Sequence, residues 1–263
     1  KRVVLATGGT RGDQIKAGAD GRVFLSQSHQ IDVLNPVRPP HVARTNPPPE
    51  ATVALPFANV AVTFDEDMLA NSAADPHSVL NPDNFRLLGD SAGAVTIRAI
   101  AYDQASRTAV LSFAPLSADH YQLQVLTRVH SSAGLALADA YSSRFTAISD
   151  LSAVLGLNFS LARSDRLTGT VSFDVTVSNH SQYALLLPVI LQLTPLQHFA
   201  GEPLGSQGRA ADGSWLIDLS GNLPVSGILE PGQSTSGRTV TVNTPNRQPV
   251  AFDPGVSGLL AGN

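Results

Sequence analysis

The sequence predicts an all-β protein, with two consecutive β-sandwiches preceded by a short strand segment. Several stretches alternate apolar and polar residues with a period of two, which is typical of half-buried strands. The 21 glycines and 18 prolines are spread along the chain, as many short strands joined by turns require. No stretch has a convincing amphipathic helical pattern, and only one short helical turn is expected, within residues 72–80.

The composition of the chain excludes several classes of protein, but it does not indicate a specific function. A chain of 263 residues suits one large or two ordinary domains, and 43% hydrophobic residues suffice for buried cores. A net charge of −4 without a basic block lacks the footprint of a nucleic-acid-binding protein. The absence of cysteine excludes disulfides, thiolate metal sites and a cysteine nucleophile. No apolar run approaches the roughly 20 residues that span a bilayer, and any export signal is expected upstream of Lys1.

Residues 1–36 alternate strand and turn signals. Strands are expected at residues 3–6, 21–26 and 30–34, with glycine-rich turns between them. The order GG-x-RGD, x-A-DGRVFLSQS and IDVL resembles one blade of a bacterial β-propeller of the NHL or six-bladed type. A lone blade cannot bury both faces of its sheet. The resemblance therefore implies that the rest of a propeller lies upstream, or that this segment packs on the next domain.

A proline-rich linker marks the next boundary. The stretches VRPP at residues 37–40 and NPPP at residues 46–49 flank a short strand expected at residues 41–45. Such stretches are stiff, because each proline ring fixes φ and restrains the preceding residue. A second, weaker boundary lies at residues 150–155. We therefore expect three parts: a blade-like strand segment at 1–36, a first sandwich at 37–149 and a second at 150–263.

The strands of the first sandwich come in a characteristic order. Val60, Val62 and Phe64 alternate with smaller residues, and an acidic run then leads to Met68. Further strand signals follow at residues 85, 102–103, 108–113, 121–125 and 141–145, and a turn is expected at residues 133–134. This VTF-x-x-x-M, YxLxV, AG and FT series resembles the bacterial Ig-like domains of the S-layer type over residues 39–147. The resemblance implies a structural sandwich with Phe64 and Phe145 in its core.

The second sandwich begins a new strand series. Residues 170–178 alternate well, and further strands are expected at residues 157–161, 184–193, 215–219, 239–242 and 249–252. Pro188 places the strand at 184–193 on an edge or marks a bulge, because proline cannot donate to a ladder. The motifs V-S-N-x-S, D-G-S-W-x-I-D-L, L-x-P-G-x-S and R-T-V-T-V are similar to those of fibronectin-III-like and related Ig-like modules of bacterial exoproteins, over residues 157–252.

An acidic loop is the main candidate for a metal site. Asp65, Glu66 and Asp67 follow a strand, and Asp83 and Asp103 are candidate neighbours. Clustered oxygen ligands suit Ca²⁺, the one cofactor that this sequence suggests. The spacing matches no EF-hand or nonapeptide loop, however, and in the resembling family this position is not normally a metal site. We favour a solvated acidic loop.

Signals for other chemistry are missing from the sequence. No two histidines stand at i, i+2 or i, i+4, so no preformed metal pair is evident. The histidines are His29, His41, His77, His120, His130, His180 and His198. The sequence contains no Gly-x-Ser-x-Gly elbow, Walker loop or Gly-x-Gly-x-x-Gly after a strand. We therefore expect no enzymatic activity.

Two further motifs admit a binding interpretation and a structural one. Arg11-Gly12-Asp13 is the string that integrins read, but in a blade Gly12 is expected to form a turn that Asp13 caps. Trp215 is expected either to stack on a sugar or to pack in the second core, and we favour the core. Tyr183 and Tyr121 are the other candidate sugar platforms.

Together these patterns predict a non-catalytic protein. The resemblances imply structural or adhesive spacer modules of a large bacterial extracellular or cell-surface protein. The expected partners are other domains of the same polypeptide, and protein or glycan at the cell surface. Two alternatives stay open: a carbohydrate-binding accessory module of a secreted enzyme, and a shell or scaffold part of a large secreted toxin-type or conjugation assembly. Fold alone does not decide among them.

Overall fold

The computed structural model describes residues 14–19, 22–26, 29–34, 38–196, 201–210, 212–244 and 250–261. The strand predicted at residues 3–6 and the Arg11-Gly12-Asp13 motif lie outside this part of the chain. Within it, the regular elements are β-strands and two short 3-10 turns, Pro82–Asn84 and Ser220–Asn222. The all-β prediction is therefore confirmed.

The strands are numbered in chain order. The first twelve are β1 (Ile15–Ala17), β2 (Val23–Ser26), β3 (Ile31–Leu34), β4 (Val42–Asn46), β5 (Ala51–Ala54), β6 (Asn59–Phe64), β7 (Phe85–Gly89), β8 (Gly93–Val95), β9 (Ile97–Asp103), β10 (Thr108–Phe113), β11 (Asp119–Val125) and β12 (Tyr141–Asp150). The others are β13 (Leu155–Asp165), β14 (Thr170–Asn179), β15 (Leu185–Pro195), β16 (Glu202–Pro203), β17 (Gly208–Arg209), β18 (Trp215–Asp218), β19 (Ile228–Leu229), β20 (Arg238–Asn243) and β21 (Phe252–Leu260).

These strands form four sheets. The small sheet has the order β1-β2-β3, and two four-stranded sheets have the orders β4-β6-β10-β9 and β13-β14-β20-β16. The fourth sheet has ten strands in the order β17-β18-β15-β21-β12-β11-β7-β8, with β19 added to β15 and β5 added to β12. Strand β5 runs parallel to β12, whereas the other described pairs are antiparallel.

The first sandwich packs the β4-β6-β10-β9 sheet against the β12-β11-β7-β8 part of the ten-stranded sheet. The alternation predicted for residues 60–64 is confirmed, because Val60, Val62 and Phe64 are each at most 2% exposed. Phe145 lies in the same core on β12, in the opposite sheet, and stacks on Tyr121 with ring centroids 5.6 Å apart. The core of this sandwich therefore joins residues from both sheets.

The second sandwich packs the β13-β14-β20-β16 sheet against the β18-β15-β21 part of the ten-stranded sheet. Phe173, Val175 and Val177 on β14 are buried, as their alternation predicts. They meet apolar side chains of β15, β18 and β21 in a second core cluster. In the small β1-β2-β3 sheet, by contrast, every described residue of the strands is half-buried or exposed.

The structure corrects several expectations. β15 is a central strand, with β18 and β19 on one side and β21 on the other, so the edge position predicted from Pro188 is wrong. The register with β21 shifts between Leu186 and Ile190, so the alternative of a bulge is confirmed. No helix forms at residues 72–80, where side-chain bonds from Ser72 and Asp75 instead stabilise consecutive turns.

Two strand expectations also need correction. The closing strand covers Phe252–Leu260 rather than residues 249–252, and β12 runs on to Asp150 rather than ending at residue 145. Strands β1 and β5 were not predicted, because the proline and glycine around them read as turns. The added length of β12 and β21 is what brings the two sandwiches together.

Candidate functional site

The junction between the two sandwiches contains an apolar cluster that is separate from the two cores. On β12, Phe145 and Ala147 point into the first core, so the alternation of a strand directs Ile148 to the outer face of its sheet. Ile148 is nevertheless only 2% exposed. It packs with Ile190 of β15 and Leu259 of β21 in a third apolar cluster. Apolar side chains of β12, β15 and β21 therefore meet at the boundary between the two sandwiches.

Backbone pairing reinforces this junction cluster. Ser149 and Asp150 of β12 pair with Gly258 and Ser257 of β21, so one sheet continues from the first sandwich into the second. A Cβ at Gly258 would lie 3.0 Å from Leu185 Cδ1 and 3.3 Å from the Pro188 carbonyl oxygen, tighter than ordinary packing. Glycine at this position thus allows β21 to lie close to β15, its neighbour in the shared sheet.

The short turn after β12 is also tied to β21. The Leu151 N–H donates to the Val256 carbonyl over 2.8 Å, and the Val256 N–H donates to Ser152 Oγ over 3.0 Å. Ser152 Oγ donates in turn to Asp150 Oδ1, and the Leu55 N–H after β5 donates to the Ile148 carbonyl. The connection is therefore held by specific bonds and is not a loose linker.

A cleft of about 310 Å³ lies beside the junction. Its apolar residues include Ile148 and Ile190, and Glu50 is its one titratable lining residue. The complete lining is Glu50, Ala51, Thr52, Ala54, Ile148, Ile190, Gln192, Gln207 and Leu216. A single carboxyl group without a nucleophile or a second acid beside it does not provide the pair of groups that general acid–base chemistry uses.

The residues of the acidic loop have separate partners. Asp65 accepts from the His41 backbone N–H over 2.7 Å and lies 3.2 Å from His41 Nδ1. Asp67 accepts from the Tyr102 hydroxyl over 3.0 Å and from Gln104 Nε2 over 2.7 Å. Glu66 is exposed. Each aspartate thus stabilises its own part of the loop.

The two candidate neighbours do not join them. Asp103 accepts from the Ala105 N–H and the Ser106 hydroxyl, within its own turn, and Asp83 lies in the first 3-10 turn. Across the residues that the structure describes, no three metal-ligating side chains come together. The structure therefore assembles no calcium ligand set in this loop.

Tyr102 anchors the acidic loop to β9. Its hydroxyl accepts from the Met68 N–H over 3.0 Å and donates to Asp67 Oδ1. The pKa of Tyr102 is raised to about 12, chiefly by burial and also by the bond to the Asp67 carboxylate, while the bond from the Met68 N–H acts in the opposite direction. The phenol therefore stays protonated at neutral pH and remains a hydrogen-bond donor.

The three candidate sugar-binding rings differ in how much of each is exposed to solvent. Tyr121 is 1% exposed, and its hydroxyl donates to the Ser117 carbonyl. Trp215 is 7% exposed within the second core, and the Arg209 guanidinium lies 4.0 Å from its ring centre. Only Tyr183, at 54%, presents much of its ring to solvent among these three. One exposed ring is not the aromatic row that a sugar-binding sheet face would show.

One arrangement was not evident from the sequence. The imidazole rings of His77 and His130 stack with centroids 4.1 Å apart and an interplanar angle of 21°. The two residues are 53 positions apart, and no spacing rule links them. Their contact arises only because two loops of the first sandwich meet.

Comparison with known families supports the first sandwich. Residues 36–147 match the family model of the bacterial Ig-like domain. The match confirms the resemblance seen in the VTF-x-x-x-M, YxLxV, AG and FT series. It does not extend to the second sandwich or the N-terminal strands, so the fibronectin-III-like and propeller-blade resemblances stay predictions. No curated protein sequence matches the chain.

Solved structures provide only distant likenesses. The N-terminal part of the bacterial S-layer protein SbsC shares 13% identity, with a TM-score of 0.32, over 77% of this chain and 44% of that one. The S-layer protein rSbsC(31-844) shares 12% identity, with a TM-score of 0.31, over 82% and 40%. The pullulanase SAP of Group B Streptococcus shares 8% identity, with a TM-score of 0.24, over 68% and 19%. This chain thus spans less than half of each, and such TM-scores establish no functional relationship.

Among the described residues, no helix has the length and apolar character that crossing a bilayer requires.

Proposed function

We propose that this chain is a non-catalytic structural part of a bacterial extracellular or cell-surface protein, in which residues 37–149 and 150–263 form two sandwiches that act together as a rigid spacer. The spacer fixes the orientation of the domains at its two ends. The match of residues 36–147 to the bacterial Ig-like domain supports a structural module. The proposal requires no resident metal or cofactor.

The observation that carries this proposal is the junction between the sandwiches. Domains on a flexible linker reorient freely, whereas here β12 and β21 pair across the boundary and the Ile148, Ile190 and Leu259 cluster closes it. Bending at this point would break backbone hydrogen bonds and expose buried apolar surface, both of which cost free energy. The relative orientation of the sandwiches is therefore expected to be well defined.

The small β1-β2-β3 sheet indicates the kind of partner that the spacer holds. Ile15 and Ile31 are 75% and 67% exposed, and Val33 is 43% exposed. An isolated sheet of this size is marginal in water unless an apolar face is covered. We therefore expect this sheet to pack against another domain of the same polypeptide, which the two sandwiches then hold at a defined distance.

Distance measurements between spin labels test this rigidity directly. The chain lacks cysteine, so Ala105→Cys and Leu167→Cys provide two unique labelling sites. Ala105 lies in the exposed turn between β9 and β10, and Leu167 is 99% exposed between β13 and β14. A rigid spacer gives a narrow distribution of label distances. We expect Ile190→Ser, which puts a hydroxyl into the junction cluster, to broaden it.

A matched control separates junction rigidity from general instability. Leu187→Ser changes an exposed apolar residue of the same strand β15, 41% exposed, and should leave the distribution narrow. Circular dichroism of each variant verifies that both sandwiches remain folded. A broad distribution in the doubly labelled protein with the native junction would contradict the spacer proposal.

A further inference from the structure

Two loops of the first sandwich are bonded to each other over much of their length. The first, residues 65–84, joins β6 to β7, and the second, residues 126–140, joins β11 to β12. The Leu69 N–H donates to the His130 carbonyl over 2.9 Å, the His130 N–H donates to the His77 carbonyl over 2.9 Å, and the Ser132 N–H donates to the Asp67 carbonyl over 2.8 Å. The loops therefore open only if these backbone bonds break.

The stacked imidazoles lie at the centre of this contact. His77 is on the first loop and His130 on the second, with ring centroids 4.1 Å apart. His77 Nδ1 lies 3.2 Å from the Arg128 carbonyl oxygen, which only accepts, so Nδ1 carries a hydrogen whether or not the ring is charged. The stack thus accepts additional protons at the remaining ring nitrogens without losing this bond.

The charges around the stack favour one additional proton and disfavour two. Asp75 interacts electrostatically with both rings, and bonds from Asn71 Nδ2 and the His77 N–H lower its pKa, so it stays ionised in mild acid. On the second loop, Arg128 directs its guanidinium to the Asp83 carbonyl. Burial lowers the pKa of His130, and His77 lowers it further, whereas Asp75 raises it.

We propose that the His77–His130 stack is an acid-sensitive clasp between these two loops. Near neutral pH the neutral or singly protonated pair holds the loops together. When both rings are protonated, two positive charges face each other with one carboxylate nearby, and the open loops, where the rings separate, become more favourable. Acid therefore loosens this end of the first sandwich while its β-sheets stay intact. This inference does not depend on the spacer function.

Nuclear magnetic resonance of the whole chain tests the clasp. Histidine titrates between about pH 5 and 8, so spectra across that range follow both rings. We expect His130 to take up its proton at a lower pH than a free imidazole, because burial and the neighbouring His77 both disfavour its charged form. Amide exchange then measures opening. The protection factor of Leu69 should fall from neutral to mildly acidic pH, and the fall should follow the protonation of His130, because the open loops bind that proton more readily.

Variants and internal controls identify the cause. His130→Gln removes the half-buried imidazole and should abolish the pH dependence at Leu69, whereas His77→Gln removes only the repulsion between the rings and should weaken it. His120→Gln, on β11, should preserve it. The Leu111 amide, within the central strand β10, should show no matching change in wild type. A His130 ring that takes up its proton at the pH of a free imidazole, or a Leu69 protection factor that does not fall in acid, would overturn the proposal. Both of these observations come from the wild-type chain, so they stand even if a variant fails to fold.

Discussion

Replacement of Phe64 by alanine tests the core of the first sandwich most directly. Phe64 is 2% exposed at the end of β6, and its side chain lies in the same cluster as Val60 and Val62. Truncation of a buried phenylalanine costs about 3–5 kcal/mol, from lost transfer free energy and the cavity left behind. A domain with a typical stability of about 5–15 kcal/mol would lose a large share of it. Phe64→Leu keeps most of the volume and should cost only about 1.5 kcal/mol.

The single tryptophan makes the measurement specific to each sandwich. Trp215 lies in the second core, so its fluorescence follows the second sandwich, while circular dichroism follows both. In urea titrations, Phe64→Ala should move the transition of the first sandwich to lower denaturant. If the junction couples the two units, the Trp215 transition moves with it, and if not, it stays in place.

A control on the same sheet calibrates the result. Val110 on β10 lies opposite Ala61 of β6 and is 36% exposed on the outer face. Val110→Ala should therefore cost less than about 1 kcal/mol. A loss below about 1 kcal/mol for Phe64→Ala, comparable to this control, would refute the placement of Phe64 in a well-packed core.

Two further predictions concern hydrogen-bonded polar side chains. Asn179 is fully buried, with Nδ2 donating to the Tyr183 and Leu229 carbonyls and Oδ1 accepting from the Ser181 N–H and hydroxyl. Asn179→Ala should cost about 3 kcal/mol in the Trp215-monitored urea transition, because buried carbonyls lose their donor; a cost near zero would contradict this. Tyr102 has its pKa raised from 10.0 to about 12, so its contribution is complete below pH 10 and is lost as pH rises towards 12. The free energy of unfolding should therefore fall less steeply over that window in Tyr102→Phe, and an unchanged slope would argue against the Tyr102 contribution.

The strands that the sequence predicted best are those half-buried in their own sandwich. Residues 108–113 coincide with β10, and residues 60–64 and 170–178 differ from β6 and β14 by one residue. In each of these strands, one face packs against the core and the other face is more exposed. Apolar and more polar residues therefore alternate along the strand with a period of two. Because this pattern is contained within each strand, it was sufficient to predict where these strands lie.

Strands that depend on distant partners were harder to recognise. The segment after Phe252 contains Pro254, Gly255 and Gly258, which read as turn residues, yet it forms a nine-residue strand between β15 and β12. Pro188 indicated an edge strand or a bulge, and the structure shows a bulge there within a central strand. In both cases pairing with neighbouring strands outweighs local propensity, which sequence patterns do not show.

Local patterns in the sequence were enough to predict the all-β class, the buried faces of β6 and β14, and the resemblance to bacterial Ig-like domains over residues 39–147. The three-dimensional structure was needed to show that the sandwiches share a sheet, that Ile148, Ile190 and Leu259 meet, and that two distant histidines stack. The difference depends on how far apart along the chain the contacting residues are. Alternation records which face of a strand is buried, whereas contacts between the outer faces of two sandwiches join residues far apart in the chain and leave no periodic trace.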